Sequence, residues 1–174
     1  MEHSLAIGVG NLKAQSTASA ELKFELDSLY VSTEIILSRR FRQYPFDGFL
    51  LEACLLHFRI VWDFFYQTPK KATDIVASCF VPKWNAPAAP PRLTAIRKWL
   101  DVMLAHLTTH RTDPAYKVGE ITEADVQLIR DHTKQLFEEF LKGLAPDQRK
   151  ELVHALAYKF SQYETLKAEA GCAS

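Results

Sequence analysis

The most informative part of the sequence for the fold is Phe46-Asp-Gly-Phe-Leu-Leu-Glu-Ala-Cys-Leu-Leu-His-Phe-Arg-Ile-Val-Trp-Asp-Phe-Phe-Tyr66. It contains no proline, and its apolar residues occupy almost every face of a helix. The polar residues Glu52, Arg59 and Asp63 fall within about 40° of one another at helical periodicity. A helix that is apolar nearly all round belongs in the middle of a bundle. We therefore predict a central helix over about 46–67.

Apolar residues at spacings of three and four predict further helices on both sides of this stretch. They cover about 20–44, 92–110 and 122–143, and a fifth helix starts at Pro146. The connector over 68–91 holds five prolines, so we predict only a short helix there, over about 73–80 and capped by Thr73 or Asp74, with Trp84 packed against the bundle. The expected fold class is an all-α, antiparallel bundle of four to five long helices plus that short helix. Residues 1–19 are small and polar, which predicts a flexible N-terminal tail before a single domain over 20–170.

Composition and charge exclude several classes of protein. The chain has 174 residues, of which 48% are apolar and 24% charged, as in an ordinary globular domain. Lys plus Arg and Asp plus Glu each number 21, which argues against a protein that wraps nucleic acid. The segment 68–118 is basic, with a net charge of +5. That charge either balances acidic neighbours or forms a modest anion-binding surface. Its candidate residues are Lys70, Lys71, Lys83, Arg92, Arg97 and Lys98.

The sequence favours a cytoplasmic protein with no membrane partner. The start of the chain, Met1-Glu-His-Ser4, lacks the basic and long apolar regions of a signal peptide. The apolar stretch over 46–66 carries too many ionisable groups for a membrane span. The three cysteines have no CxxC spacing, so they indicate neither a disulfide framework nor a zinc knuckle.

A first group of candidate site residues is histidine. His106-Leu-Thr-Thr-His110-Arg111 places two imidazoles four residues apart on one helical face, and His57 lies on the central helix. Neutral imidazoles at such spacing can bind zinc, nickel or iron. The string resembles the HxxxHR element of DinB-type four-helix bundles, which implies a divalent metal held by His57, His106 and His110. Without that metal site, we expect no cofactor, and the three histidines are structural.

A second candidate is the spacing of Arg149-Lys-Glu-Leu-Val-His154, which matches the RxxxxH motif of HEPN-type RNases. In a regular helix the two side chains lie about 140° apart. A chain with nine arginines and six histidines produces such a spacing by chance roughly once. The motif by itself therefore does not decide the function.

A longer resemblance covers roughly residues 46–112. Leu55-Leu-His-Phe-Arg-Ile-Val-Trp-Asp-Phe-Phe65 resembles the LLHARNLxDFF stretch of a small bacterial helical family. Asp101-Val-Met-Leu-Ala-His-Leu-Thr108 resembles the NKxLAHLT stretch of that family. Ile60 and Asp101 stand where the family has asparagine. The layout is also similar to that of HEPN domains, which are helical, usually dimeric, and occur in toxin–antitoxin and phage-defence systems.

This resemblance implies a catalytic or binding site formed by His106, Arg59 and Asp63. Arg59 would bind phosphate, and His106 would act as a general acid or base near neutral pH. The structural alternative is that Arg59 and Asp63 pair with each other one helical turn apart, and that His106 only hydrogen-bonds a neighbour.

Three functions follow from these patterns. The first is a HEPN-like module of a bacterial defence or toxin–antitoxin system that binds RNA, a nucleotide or a protein partner. The second is a structural protein–protein interaction module, for example a homodimer through the first two helices. The third is a DinB-like metal-binding bundle. The balance favours a protein without catalytic activity that works as a homo-oligomer or with a protein partner. An interaction module predicts an exposed apolar patch, whereas the HEPN-like site predicts that Arg59 and His106 share a cleft.

Overall fold

The computed structural model confirms the all-α fold class. It describes residues 10–39, 46–71, 74–105 and 119–149 together with Leu152; side chains are described from 19 in the first range and up to 102 in the third. The helices are α1 (Gly10–Leu37), α2 (Phe46–Tyr66), α3 (Ala77–Phe80), α4 (Pro91–Ala105) and α5 (Glu123–Gly143), and another helical turn begins at Pro146. Within these ranges there is no β-strand, and no helix has the length and apolar character that a membrane span requires.

Helix α1 begins and ends earlier than the sequence predicts. It starts at Gly10 rather than near residue 20. Residues 10–19 contain no proline, so the helix extends through them towards the N-terminus. It ends at Leu37 because Arg39 adopts a left-handed conformation with φ of 59°. The N–H groups of Ser38 and Arg39 donate to the carbonyls of Glu34 and Ile36 at 2.9 and 3.1 Å. Residues 10–19 therefore belong to the helix, whereas 1–9 and 40–45 lie outside the described residues.

Helix α2 is the centre of the described fold, as predicted. It contacts α1, α3, α4 and α5. Phe58, Val61 and Phe65 are almost completely buried, and the ring of Phe65 lies 5.7 Å from that of Phe140 on α5. Trp84 closes the end of the helix: its indole N–H donates to the carbonyl of Phe65 at 2.8 Å. The prediction that Trp84 packs against the bundle is thus confirmed.

The short helix in the connector is shorter than predicted. It spans Ala77–Phe80 and follows Val76, whose backbone is extended. The predicted caps were wrong. Asp74 instead accepts the backbone N–H groups of Lys70 and Lys71 at 2.8 and 2.9 Å, which fixes the preceding turn, and Thr73 lies outside the described residues.

Helix α5 begins and ends where the sequence predicts. The hydroxyl of Thr122 accepts the N–H of Asp125, and the Asp125 carboxylate accepts the N–H of Thr122 at 2.9 Å, which is a capping box. Arg92 of α4 donates to both oxygens of this carboxylate, each at 2.7 Å. The hydrogen bond from Arg92, followed by those from Thr122, lowers the pKa of Asp125 to about 2. The capping residue therefore also joins α5 to α4.

We expect Asp125→Ala to lower the free energy of unfolding by about 2 kcal/mol at pH 7, because the cap and the Arg92 bridge are lost together. Since the pKa of Asp125 is lowered on folding, its contribution is complete above pH 3.8 and disappears as the pH falls towards 2. Urea denaturation at pH 7 and pH 2 measures both effects. Gln135→Ala, on the exposed side of the same helix, is the control and should change stability by less than about 0.5 kcal/mol. Equal losses from the two variants would contradict this assignment.

Candidate functional site

The candidate residues on α2 face two different neighbours. Arg59 and Asp63 form ion pairs with residues of α4, whereas His57 pairs with a residue of α1. Because His57 and Arg59 are two residues apart, their side chains leave the helix about 200° apart. The structure therefore does not bring His57 together with Arg59 and Asp63.

Arg97 of α4 is the centre of an ion-pair network that the sequence did not predict. Its Nε and Nη2 atoms donate to Asp63 Oδ1 at 3.1 and 2.5 Å, and its Nη1 atom pairs with Asp101 one turn along α4. Arg59 Nη2 lies 3.3 Å from Asp101 Oδ1. The expected pair between Arg59 and Asp63 is thus replaced by two bridges to α4. We call these four residues the Arg97 network.

The Arg97 network balances its charges. The side chain of Arg97 is only 9% exposed, whereas that of Asp101 is 51% exposed. Burial by itself lowers the pKa of Arg97, but the hydrogen bonds to Asp101 and Asp63 outweigh burial and leave the pKa raised. Two arginines face two aspartates, so the network links α2 to α4. A phosphate that bound to Arg59 would have to compete with Asp101.

His57 belongs to an interhelical pair. Its Nδ1 atom lies 2.6 Å from Glu25 Oε2, and both side chains are less than one-fifth exposed. The ring of Phe24 meets the imidazole edge to face with centroids 5.9 Å apart. With Nδ1–H donating to Glu25, the imidazole joins α1 to α2, which is the structural interpretation of this histidine.

The remaining catalytic and metal candidates fall outside the described residues. These are His106, His110 and His154. Across the described ranges, no group of three His, Cys, Asp or Glu side chains is placed to hold a metal ion. Arg149, the other half of the RxxxxH spacing, donates from Nη2 to the carbonyl of Lys142 at 3.0 Å and so caps the end of α5. The metal triad and the HEPN-like histidine therefore stay predictions.

The basic segment over 68–118 does not present all its charges to solvent. Arg92 forms an ion pair with Asp125, and Arg97 forms ion pairs with Asp63 and Asp101. The exposed basic side chains of the proposed anion surface are lysines, namely Lys70, Lys71, Lys83 and Lys98. Part of the segment's charge therefore balances acidic neighbours, as the alternative interpretation expects.

No family model, curated protein or solved structure matches the chain. The HEPN-like and DinB-like resemblances therefore rest on short motifs alone and stay predictions.

A further feature of α2 is an exposed apolar stripe. Phe49, Ala53, Leu56 and Ile60 lie within about 60° of one another around the helix. Phe49 is 62% exposed, Leu56 45% and Ile60 41%. We call these four residues the α2 apolar face. The sequence did not indicate this surface, because a helix that is apolar nearly all round is expected to be covered by its neighbours on every side. Only the structure shows which side is left open.

A groove adjoins one end of the α2 apolar face. It has a volume of about 660 Å³ and lies between α1, α2 and the segment after α2. Ile60 lines it together with Phe24 and Ile75, which are 56% and 44% exposed. The exposed apolar surface therefore continues from α2 onto α1 and the connector.

A partly buried polar pair holds α2 against α5 and the connector. The hydroxyl of Tyr66 lies 2.7 Å from His132 Nε2 and 2.9 Å from the carbonyl of Pro87. A carbonyl only accepts, so Tyr66 donates to Pro87 and accepts from Nε2–H of His132. Burial raises the pKa of Tyr66 to about 12 and lowers the pKa of His132. Both groups are therefore neutral at pH 7 and serve structure rather than proton transfer.

We expect His132 to make the fold sensitive to mild acid. Because burial lowers its pKa on folding, stability is complete above pH 6.5 and falls as the pH drops below that value. His132→Gln keeps an N–H donor and does not titrate. Chemical denaturation at pH 7.5 and pH 5 should give a smaller loss of stability for the variant than for the natural chain. An equal loss in both proteins would show that His132 does not cause the effect.

Proposed function

We propose that this chain is a protein–protein interaction module whose binding surface is the α2 apolar face together with Phe24 and Ile75. One observation carries the proposal. Within the described residues, every strongly exposed large apolar side chain belongs to α1, α2 or the segment that follows α2, and none belongs to α4 or α5. Single exposed apolar side chains are common on proteins, but a contiguous set marks an interaction surface.

The apolar surface supplies a physical driving force for binding. Burial of apolar area contributes roughly 25 cal/mol per Å², so covering several half-exposed Phe, Leu and Ile side chains is favourable. Phe49, Leu56 and Ile60 are also carried on one helix, which limits the entropy lost when a partner binds. Phe49 and Leu56 are separated by seven residues, or about 10 Å along α2, which suits a helical partner.

The other two candidate functions have less support from the described residues. Arg59 and Asp63 form ion pairs within the Arg97 network, so RNA or a nucleotide would have to compete with those ion pairs. His57 is engaged by Glu25, so a metal at this position would have to displace that hydrogen bond. Both functions depend on His106, which is not among the residues described.

The proposal is tested by placing a photo-crosslinking phenylalanine analogue at Leu56 in the full chain and irradiating living cells that express it. The matched control carries the analogue at Gln135, an exposed residue of α5. We expect protein cross-links, to this chain or to another, from position 56 and none from position 135. Absence of cross-links at both positions, or equal cross-linking at both, would contradict an interaction role for the α2 apolar face.

A further inference from the structure

We infer that the partner covering the α2 apolar face is a second copy of this chain, with the two α2 helices packed antiparallel about a twofold axis near the middle of the helix. This inference rests on the proposed function and specifies its partner. It is drawn from the spacing of the exposed apolar residues and from the charges beside them.

The spacing of the α2 apolar face is that of a helix-pairing seam. Phe49, Ala53, Leu56 and Ile60 follow one another at intervals of four, three and four residues. This is the heptad pattern with which two helices pack side chains into each other's gaps. Five of the six buried residues of α2 lie more than about 100° from the centre of the seam around the helix, namely Cys54, Leu55, Phe58, Val61 and Phe65. The seam is therefore separate from most of the bundle's own packing.

The seam is self-complementary when one copy is reversed. The midpoint between Phe49 and Ile60 coincides with the midpoint between Ala53 and Leu56. An antiparallel pair centred there therefore places Phe49 opposite Ile60 of the partner subunit and Ala53 opposite Leu56 of the partner subunit. Each large side chain faces a different one, and the small Ala53 leaves room for a leucine.

The charges beside the seam obey the same symmetry. Glu52 and Arg59 lie on one flank of the α2 apolar face, about 20° apart around the helix. Their midpoint lies one residue, or about 1.5 Å, from the midpoint of the seam. In an antiparallel twofold pair each flank faces the same flank of the other copy. Glu52 therefore lies beside Arg59 of the partner subunit, and the contact occurs twice.

Both charged groups are accessible for this contact. Glu52 is exposed, and no ion pair to it occurs among the described residues. The side chain of Arg59 is 27% exposed and uses Nη2 for Asp101, which leaves other guanidinium donors for a second carboxylate. A parallel pair would instead turn each flank towards the opposite flank, which carries Phe46 and His57 rather than an acid.

Charge reversal tests this arrangement on the full chain. Glu52→Arg and Arg59→Glu each place like charges at both contacts, and we expect each to raise the dimer dissociation constant about tenfold at low salt. An equimolar mixture of the two variants restores opposite charges at both contacts. We therefore expect heterodimers with the affinity of the natural chain, measured by sedimentation equilibrium. Since Arg59→Glu also loses its bridge to Asp101 in the mixture, recovery reports only the contact between copies.

Two further variants serve as a disruptive variant and a neutral control for the dimer. Leu56→Asp places a charge in the seam, and we expect it to raise the dissociation constant about 100-fold. Glu138→Arg makes the same kind of charge change as Glu52→Arg on the exposed side of α5 and should leave the dissociation constant unchanged.

A mixture of Glu52→Arg and Arg59→Glu that associates no more tightly than either variant alone would overturn the antiparallel arrangement. A natural chain that stays monomeric at about 100 µM while position 56 cross-links to another protein would overturn self-association and leave the proposed function standing.

Discussion

Phe140→Ala is expected to lower the free energy of unfolding by about 3–5 kcal/mol, the usual cost of removing a fully buried aromatic ring. Phe140 on α5 has no exposed surface. Its ring lies 5.4–6.0 Å from the rings of Phe64, Phe65, Phe80 and Trp84, so one side chain joins α5 to α2, to α3 and to the connector. The cavity left by alanine would open where all these elements meet.

Urea denaturation followed by tryptophan fluorescence measures this effect, because Trp84 contacts the altered site. The matched control is Phe46→Ala, which removes the same ring from a position that is 60% exposed and lies outside the α2 apolar face. We expect the control to change monomer stability by less than about 0.5 kcal/mol. Similar losses from both substitutions would mean that Phe140 is not the core residue described above.

Arg97→Ala is expected to cost about 2–3 kcal/mol of stability. The substitution removes a buried guanidinium that bonds Asp63 and Asp101, and it leaves two like-charged carboxylates facing the gap. The cost stays below that of a fully buried pair because Asp63 and Asp101 are partly exposed to water. Arg97→Lys keeps the positive charge, but the lysine ammonium lacks the planar guanidinium that bonds both carboxylates. We therefore expect an intermediate loss of stability of about 1 kcal/mol.

The control for Arg97 is its neighbour Lys98, which is exposed on the same helix. Lys98→Ala should be nearly neutral in the same denaturation measurement. If Arg97→Ala were equally neutral, the Arg97 network would not stabilise the fold. Arg59 and Asp63 would then have to be reconsidered as residues free to serve a ligand.

Local signals in the sequence were sufficient for several parts of the fold. The proline-free apolar stretch over 46–66 predicts α2, because helical periodicity and burial are properties of the segment itself. Thr122 and Asp125 predict the start of α5, since a capping box involves only residues within one turn. Gly143 marks its end in the same local way.

The early end of α1 was not predictable in this way. The sequence suggests that the helix continues to Pro45, because no breaker precedes that proline. In the structure, Arg39 leaves helical conformation and its guanidinium bonds Glu123 at the start of α5, 2.7 Å away. A contact between residues 84 positions apart thus accompanies the turn, and no local pattern encodes it.

The candidate site also combines features that the sequence predicts with features that depend on tertiary contacts. The sequence was sufficient to place His57, Arg59 and Asp63 on one helix, and it predicted that neighbouring helices cover this helix on nearly every side. The partners of these residues are visible only in the folded chain: Arg59 and Asp63 pair with residues of α4 rather than with each other, and His57 pairs with a residue of α1. The exposure of Phe49, Leu56 and Ile60 is likewise visible only there. The reason is that periodicity fixes the angle of a side chain about its own helix axis, whereas its partner depends on where the neighbouring helices pack.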